Sequence, residues 1–111
     1  MYSFPVDEQE EIRKKGHASL HMDGNAWTGA FYLTSDRLVF IGYMIDISRK
    51  YIEEIPLSHI AELRAGKTFL VIPNVLDIVT IGGRRVRLIV SGQTAWLAAI
   101  RAEMDRVGLI R

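Results

Sequence analysis

The sequence predicts a mainly β domain, a curved antiparallel barrel or sandwich of about seven strands closed at one end by a C-terminal helix. Three observations carry that expectation. Residues 26–42, AWTGAFYLTSDRLVFIG, place two apolar, β-branched and aromatic runs around the turn-forming tetrapeptide Thr34-Ser35-Asp36-Arg37, the pattern of a β-hairpin. Further short runs follow at hairpin spacing, punctuated by Pro56, Gly66, Pro73-Asn74 and Gly82-Gly83. The last segment switches to a three- and four-residue repeat, with Trp96, Ala99, Ile100, Met104 and Val107 forming an apolar stripe on a helix. Strands followed by one helix describe a curled sheet plugged by that helix.

The elements follow in order. Pro5, the acids Asp7, Glu8, Glu10 and Glu11, the bases Arg13, Lys14 and Lys15, and then Gly16 read as a short helix. Acid stands at its start, base at its end and glycine beyond, as the helix dipole and the C-cap prefer. Residues 1–15 are therefore expected to be a helical extension and residues 16–111 the domain. From His17 the period becomes two, with Ala18, Leu20 and Met22 on one face and His17, Ser19 and His21 on the other. Asp23-Gly24-Asn25 is a tight turn. The next strand sets Trp27, Gly29, Phe31 and Leu33 on one side. Its partner sets Leu38 and Phe40 against Val39 and Ile41, so both faces of this hairpin expect cover.

Residues 44–50 are irregular, 51–57 form a strand ending at Pro56, and 60–65 alternate weakly before a turn at Gly66-Lys67. Pro73 cannot donate to a ladder, so Pro73-Asn74 marks a bulge, a bend or an edge. Gly82-Gly83 starts a hairpin into the last strand, where Val86, Leu88 and Val90 face one way and Arg85, Arg87 and Ile89 the other. Ser91 is the expected N-cap of the helix and Gly108 its end.

At 111 residues the chain is one domain. A net charge of +1 gives no global field toward nucleic acid or anionic membrane. The absence of cysteine removes disulfides, thiolate nucleophiles and cysteine-ligated metals. The N-terminus has no basic start followed by an apolar block, so it is not read as a secretory signal. No window reaches the roughly 18 apolar residues of a membrane span. The expected location is the cytoplasm, with the membrane periphery as the alternative.

Chemistry-bearing constellations are few. His17 and His21 lie on a strand, where four residues span about 13 Å, so one ion does not bridge them. Glu53 and Glu54 are adjacent and point to opposite faces. His59 sits in a strand-end turn without an evident partner. No nucleophile elbow, phosphate-cradling glycine loop or HExxH zinc helix occurs. No catalytic residue, cofactor or metal is expected, and no aromatic-plus-basic RNA-binding motif appears.

Two groups remain as contact candidates. Arg84, Arg85 and Arg87 cluster at the last strand, with Arg49 and Lys50 in the irregular segment, and Arg64 and Lys67 flank another turn. Forked hydrogen bonds from such arginines suit an anionic headgroup or an acidic protein partner, while the plain alternative is a solvated face that blunts strand edges. Tyr43, Met44, Ile45 and Ile47 mix apolar side chains with those cations. They read as a strand extension into the core, a protein interface or a membrane contact.

The runs GHASL, AWTGAFYLTSDRLVFIG, EIPLSHIAEL, FLVIPNVLDIVT and RLIVSGQTAWLAAI resemble the GRAM domain family over residues 16–100. The matching positions include Gly29, Tyr32-Leu33-Thr34, Arg37-Leu38, Phe40, Ile55-Pro56-Leu57, Ile60, the Asn74 region and Trp96. The resemblance implies a pleckstrin-homology-like curved barrel of seven strands with a C-terminal helix, used to bind phosphoinositides or proteins. The residues here favour a non-catalytic binding module for a protein partner or a second copy of the chain. A peripheral binder of anionic lipid is the alternative. The loop at residues 22–26 holds Asp23 and no base, which repels an inositol phosphate.

Overall fold

A computed structural model describes residues 4–22, 24–43, 50–68 and 71–108. Seven strands run in sequence as β1 (Ile12–Met22), β2 (Asn25–Thr34), β3 (Arg37–Tyr43), β4 (Lys50–Pro56), β5 (Ile60–Thr68), β6 (Ile72–Thr80) and β7 (Arg85–Val90). A single 3₁₀ turn, Leu57–His59, links β4 to β5, and helix α1 (Gln93–Arg106) follows β7. All pairings are antiparallel, in the order β4-β3-β2-β1-β7-β6-β5.

The curl originates in β1. It pairs with β2 along its whole length, from Ile12 to Met22, but with β7 only from Ala18 to His21. The first half of β1 thus belongs to one wing of the sheet and the second half to both. The two wings fold toward each other and enclose Leu20, Phe31, Leu33, Leu38, Phe40, Leu76, Ile78 and Leu88, none more than 2% exposed. Inward residues alternate with outward ones along β7, where Val86, Leu88 and Val90 are buried and Arg85 and Arg87 exposed. That is the period-two expectation realised.

Helix α1 closes the core with Trp96, Ile100 and Met104. The Trp96 ring lies 4.6 Å from that of Phe31 and is 2% exposed, and Lys14 Nζ caps it 5.0 Å from the ring centroid. Gly16 makes room, since a Cβ there would stand 3.3 Å from Trp96 Cζ2. The far end of the helix is tied down as Arg106 donates to the Ser35 carbonyl at 2.8 Å and Arg13 of β1 pairs with Glu103 at 3.3 Å. Gln93, buried at the first turn, donates through Nε2 to the carbonyls of Gly66 and Val75, which stitches the helix to β5 and β6.

Several expectations are corrected. The short N-terminal helix does not form: residues 12–15 are the start of β1, and among the described residues only a turn at residues 7–10 precedes it, closed by Glu10 N–H donating to the Asp7 carbonyl. A two-turn helix is marginal by itself. Here Ser35 exchanges hydrogen bonds with the Glu11 backbone and Arg37 claims the Glu10 carboxylate, so tertiary partners draw the segment into extension. Gly66 lies inside β5 and not in a turn. The irregularity falls where the ladder steps from the Gly66–Val75 pair to Thr68–Ile72, passing over Pro73. At the helix start Gly92, in the left-handed region at φ 74°, occupies the cap position expected of Ser91, and no side chain caps the helix.

Candidate functional site

Strand alternation separates the arginines that the sequence clusters. Arg84 lies in the turn before β7 and grips Glu53 of β4 with both terminal nitrogens, Nη1 at 2.8 Å from Oε1. Glu53 also accepts the Tyr51 hydroxyl, and Tyr51 stacks on Trp27 with centroids 4.4 Å apart. Arg84 is thereby part of a bracket across the open seam between β4 and the β6–β7 turn. Its neighbour in sequence, Glu54, points the other way and pairs with Arg37.

Arg85 and Arg87 stand instead on the outer face of the second wing. Cross-strand pairing aligns Arg64 of β5, Asp77 of β6, Arg87 of β7 and His21 of β1 in one row, and Glu62, Val79 and Arg85 in the next. These rows and the β1–β2 turn at Gly24 and Asn25 line a groove of about 560 Å³. Arg87 holds Asp77 in a fork, Nε to Oδ1 at 2.9 Å and Nη2 to Oδ2 at 3.2 Å. That carboxylate raises the pKa of Arg87 further, so its charge is fixed at every physiological pH. Arg64 pairs with Glu62 at 2.7 Å. Arg85 makes no ion pair among the described residues. Among the described residues the groove therefore displays three guanidiniums against two carboxylates, with the exposed His21 at one side.

Of the other candidates, Lys50 is exposed at the start of β4 and outside this groove, and Tyr43 ends β3 opposite it in register. Met44, Ile45, Ile47 and Arg49 lie outside the described residues, as does the Tyr43 side chain. His17 and His21 are both exposed on the outer face of β1. Sequence reading did not link His21, Arg64 and Asp77 to the last strand, because only strand register brings them together.

A second polar constellation surrounds Arg37 at the β2–β3 turn. Its Nε donates to Glu10 Oε2 at 2.8 Å, Nη2 to Glu10 Oε1 at 3.1 Å and to the Pro5 carbonyl at 2.6 Å, and Nη1 to Glu54. The Glu10 side chain is fully buried and also accepts the Thr34 hydroxyl. The Arg37 hydrogen bond is the largest cause that holds the Glu10 carboxyl down at about 2, against the opposing effect of burial. Among the described residues, the carboxylates of Asp7, Glu10 and Asp36 gather within 4.8 Å. Arg37 and Thr34 already engage the buried member, so the cluster serves the ion pair.

No protein-family model matches the sequence, and no curated protein matches it by sequence. Solved structures do resemble the fold. The C-terminal domain of an unknown protein from Leishmania infantum superposes with a TM-score of 0.72 at 13% identity, over 85% of this chain and 84% of that one. The Vps36 N-terminal PH domain gives 0.66 at 16% identity over 93% and 86%. The linker-DH/PH structure of p115-RhoGEF gives 0.62 at 10% identity over 88% of this chain and 30% of that one. No helix among the described residues is long and apolar enough to cross a membrane. Seven antiparallel strands curled into a half-barrel and stopped by one C-terminal helix make this a pleckstrin-homology-like fold.

Proposed function

We propose that the chain is a non-catalytic binding module whose partner is a protein, with a second copy of itself the first partner to test. Within the pleckstrin-homology-like superfold, the runs at residues 26–42 and 55–60 favour the GRAM type. One observation carries the protein reading: three of the arginines that a phosphorylated headgroup would use are already committed to carboxylates. Arg84 is forked onto Glu53, Arg87 onto Asp77, and Arg64 is paired with Glu62. A phosphate approaching any of these three arginines would have to displace its acid or sit beside it. A protein surface of alternating sign can instead pair with both charges, and such complementarity sets orientation and partner choice. β4 is an edge strand whose ladder runs only to β3 among the described residues, which suits strand addition beside the Tyr43–Ile47 segment.

The second reading, a peripheral anionic-lipid binder using Arg49, Lys50, Arg84, Arg85 and Arg87, is favoured by Arg85, which makes no ion pair among the described residues. Sedimentation velocity over a wide concentration range, alongside co-sedimentation with phosphatidylcholine vesicles with and without phosphatidylserine, separates the two. The protein reading expects concentration-dependent association, reduced by Ile45→Asp, Ile47→Asp or Arg85→Glu, and no dependence on phosphatidylserine. A strict monomer that binds vesicles in proportion to phosphatidylserine, and releases them with salt, would overturn it in favour of lipid.

A further inference from the structure

We infer that β5 is a self-association edge, and that its occupant is β5 of a second copy of this chain, added antiparallel about a two-fold axis at Leu63. The inference rests on the self-association reading and names the surface that it uses. That surface is Ala61-Glu62-Leu63-Arg64-Ala65, a run whose charges are complementary to its own antiparallel image.

β5 stands at one end of the sheet order and pairs only with β6 among the described residues, so one side of its backbone has no ladder partner. Such an edge is a template for another strand, and proteins ordinarily blunt it with charge. The ladder to β6 steps between Ile60 and Glu62 and again between Gly66 and Thr68, but it runs unbroken from Glu62 to Gly66. A regular stretch is therefore on offer. Two donors from α1 reach carbonyls of β5. Gln93 holds that of Gly66 at 2.7 Å, outside the complementary run, and Arg101 reaches that of Leu63 at 3.4 Å from an exposed position. Among the described residues, only that long Arg101 bond has to yield to an incoming strand.

The charges select both the occupant and its register. Successive side chains of a strand point to opposite faces, so a second copy that continues the sheet pairs only in registers two residues apart. With Leu63 opposite Leu63 of the second copy, Glu62 faces its Arg64, Arg64 faces its Glu62, and Ala61 meets its Ala65. The next register in one direction sets Glu62 against Glu62, and in the other Arg64 against Arg64. Like charges directly opposed destabilise a strand pair. In the matched register the signs alternate around the axis, each carboxylate having one guanidinium beside it and another across. The groups have capacity for this. Arg64 Nη2 donates to Glu62 Oε1 at 2.7 Å, while Glu62 Oε2 and the other Arg64 nitrogens make no hydrogen bond among the described residues. Both side chains are open to solvent, Glu62 at 47% and Arg64 at 68%. They share the outer face with Asp77 and Arg87, so the row Arg87–Asp77–Arg64 runs on into Glu62 of the second copy with alternating sign. On the other face the half-buried Leu63 meets its equivalent between the small, exposed Ala61 and Ala65. β4, the opposite edge, has its acids Glu53 and Glu54 already held by Arg84 and Arg37, so its charges do not select a copy in this way.

The test is sedimentation velocity of the full chain over a wide concentration range, with circular dichroism to confirm that each variant folds. Glu62→Arg alone and Arg64→Glu alone set like charges across the axis, and each should weaken self-association about tenfold or more. The double variant, Glu62→Arg with Arg64→Glu, exchanges the signs and keeps them complementary, so its association should return to the wild-type range. An equimolar mixture of the two single variants should associate as well, because an all-basic edge then faces an all-acidic one; a fluorescent label on one of them reports the mixed species. Should one single variant fail to fold, the other and the double variant carry the expectation. Single reversals that associate as tightly as the wild type would remove β5 as the interface and leave self-association through another surface standing. The same holds if neither the double variant nor the mixture recovers. A wild type that stays monomeric throughout would remove this inference and the second-copy form of the functional reading together.

Discussion

Replacing Glu10 by glutamine tests the electrostatic anchor of the N-terminal segment and has a magnitude that follows from the geometry. The Glu10 carboxylate is fully buried, yet it receives two hydrogen bonds from Arg37, one from the Thr34 hydroxyl and one from the Asp7 backbone at 3.2 Å. These donors favour the charged form and lower its pKa from 4.5 to about 2. A drop from 4.5 to about 2 is about 2.5 units, and at about 1.36 kcal/mol per unit the charge contributes about 3 kcal/mol to stability at neutral pH. The sign is that of a depressed acid: the contribution is complete above 4.5, the ordinary value, and disappears as pH falls through about 2. Glutamine keeps the shape and an acceptor for Thr34, and Arg37 keeps Glu54. The variant should therefore lose about 2–3 kcal/mol at pH 7, a sizeable share of a domain's usual stability. Urea unfolding monitored by tryptophan fluorescence measures it. The difference between wild type and variant should shrink as the buffer is taken from about pH 4.5 toward 2. Equal differences at both ends of that range would refute the assignment of the stabilisation to the Glu10 charge.

Two other substitutions probe the packing that shapes the half-barrel. At Gly29 an added Cβ would overlap the Ile41 carbonyl oxygen and stand 2.6 Å from Gly42 Cα, both of them backbone, so Gly29→Ala must part β2 from β3. It should cost about 3 kcal/mol or more, whereas Gly82→Ala, whose Cβ meets only Thr80 Oγ1 at 3.9 Å, should stay within about 0.5 kcal/mol; thermal melts showing the two equal would refute the close approach. Gln93→Leu removes both side-chain bonds from the helix to the Gly66 and Val75 carbonyls and should cost about 1–3 kcal/mol, and a variant as resistant to urea as the wild type would show that this tie contributes nothing.

The fold was legible where a residue's fate depends on its immediate neighbours. Alternation along residues 86–90 assigned Val86, Leu88 and Val90 to the core because a strand turns each side chain over relative to the last. The helical stripe through Trp96, Ile100 and Met104 is equally local, and so is the turn at Gly83, where φ is 88°. The N-terminal segment shows where local reasoning stops. Its charges are ordered as a helix dipole would order them, yet Glu10 is bound by Arg37, 27 residues away, and Glu11 by Ser35, 24 away. The dipole is worth about 0.3–1 kcal/mol at a surface, less than the roughly 3 kcal/mol in the buried ion pair. The distant partner therefore decides the local conformation.

The same arithmetic explains why the pairing of the candidate arginines could not be read from sequence. Three arginines within four positions look like one basic patch, but a patch is defined by the charges that remain after pairing. Glu53 lies 31 residues from Arg84 and Asp77 lies 10 from Arg87, and neither distance carries a sequence signal. Once both acids are in place, Arg85 is left, among the described residues, as the cation of its strand without a carboxylate, and His21 and Arg64 join it through register alone. Neutralised arginines do not attract a headgroup through a long-range field, because a fork onto a carboxylate leaves little net charge beyond a Debye length of about 8 Å at physiological salt. What they retain is direction: a rigid fork and its acid form a dipole on the surface, readable only by a partner that comes into contact. A surface of that kind discriminates among proteins far better than it gathers ions, and that is the physical ground for preferring a protein partner.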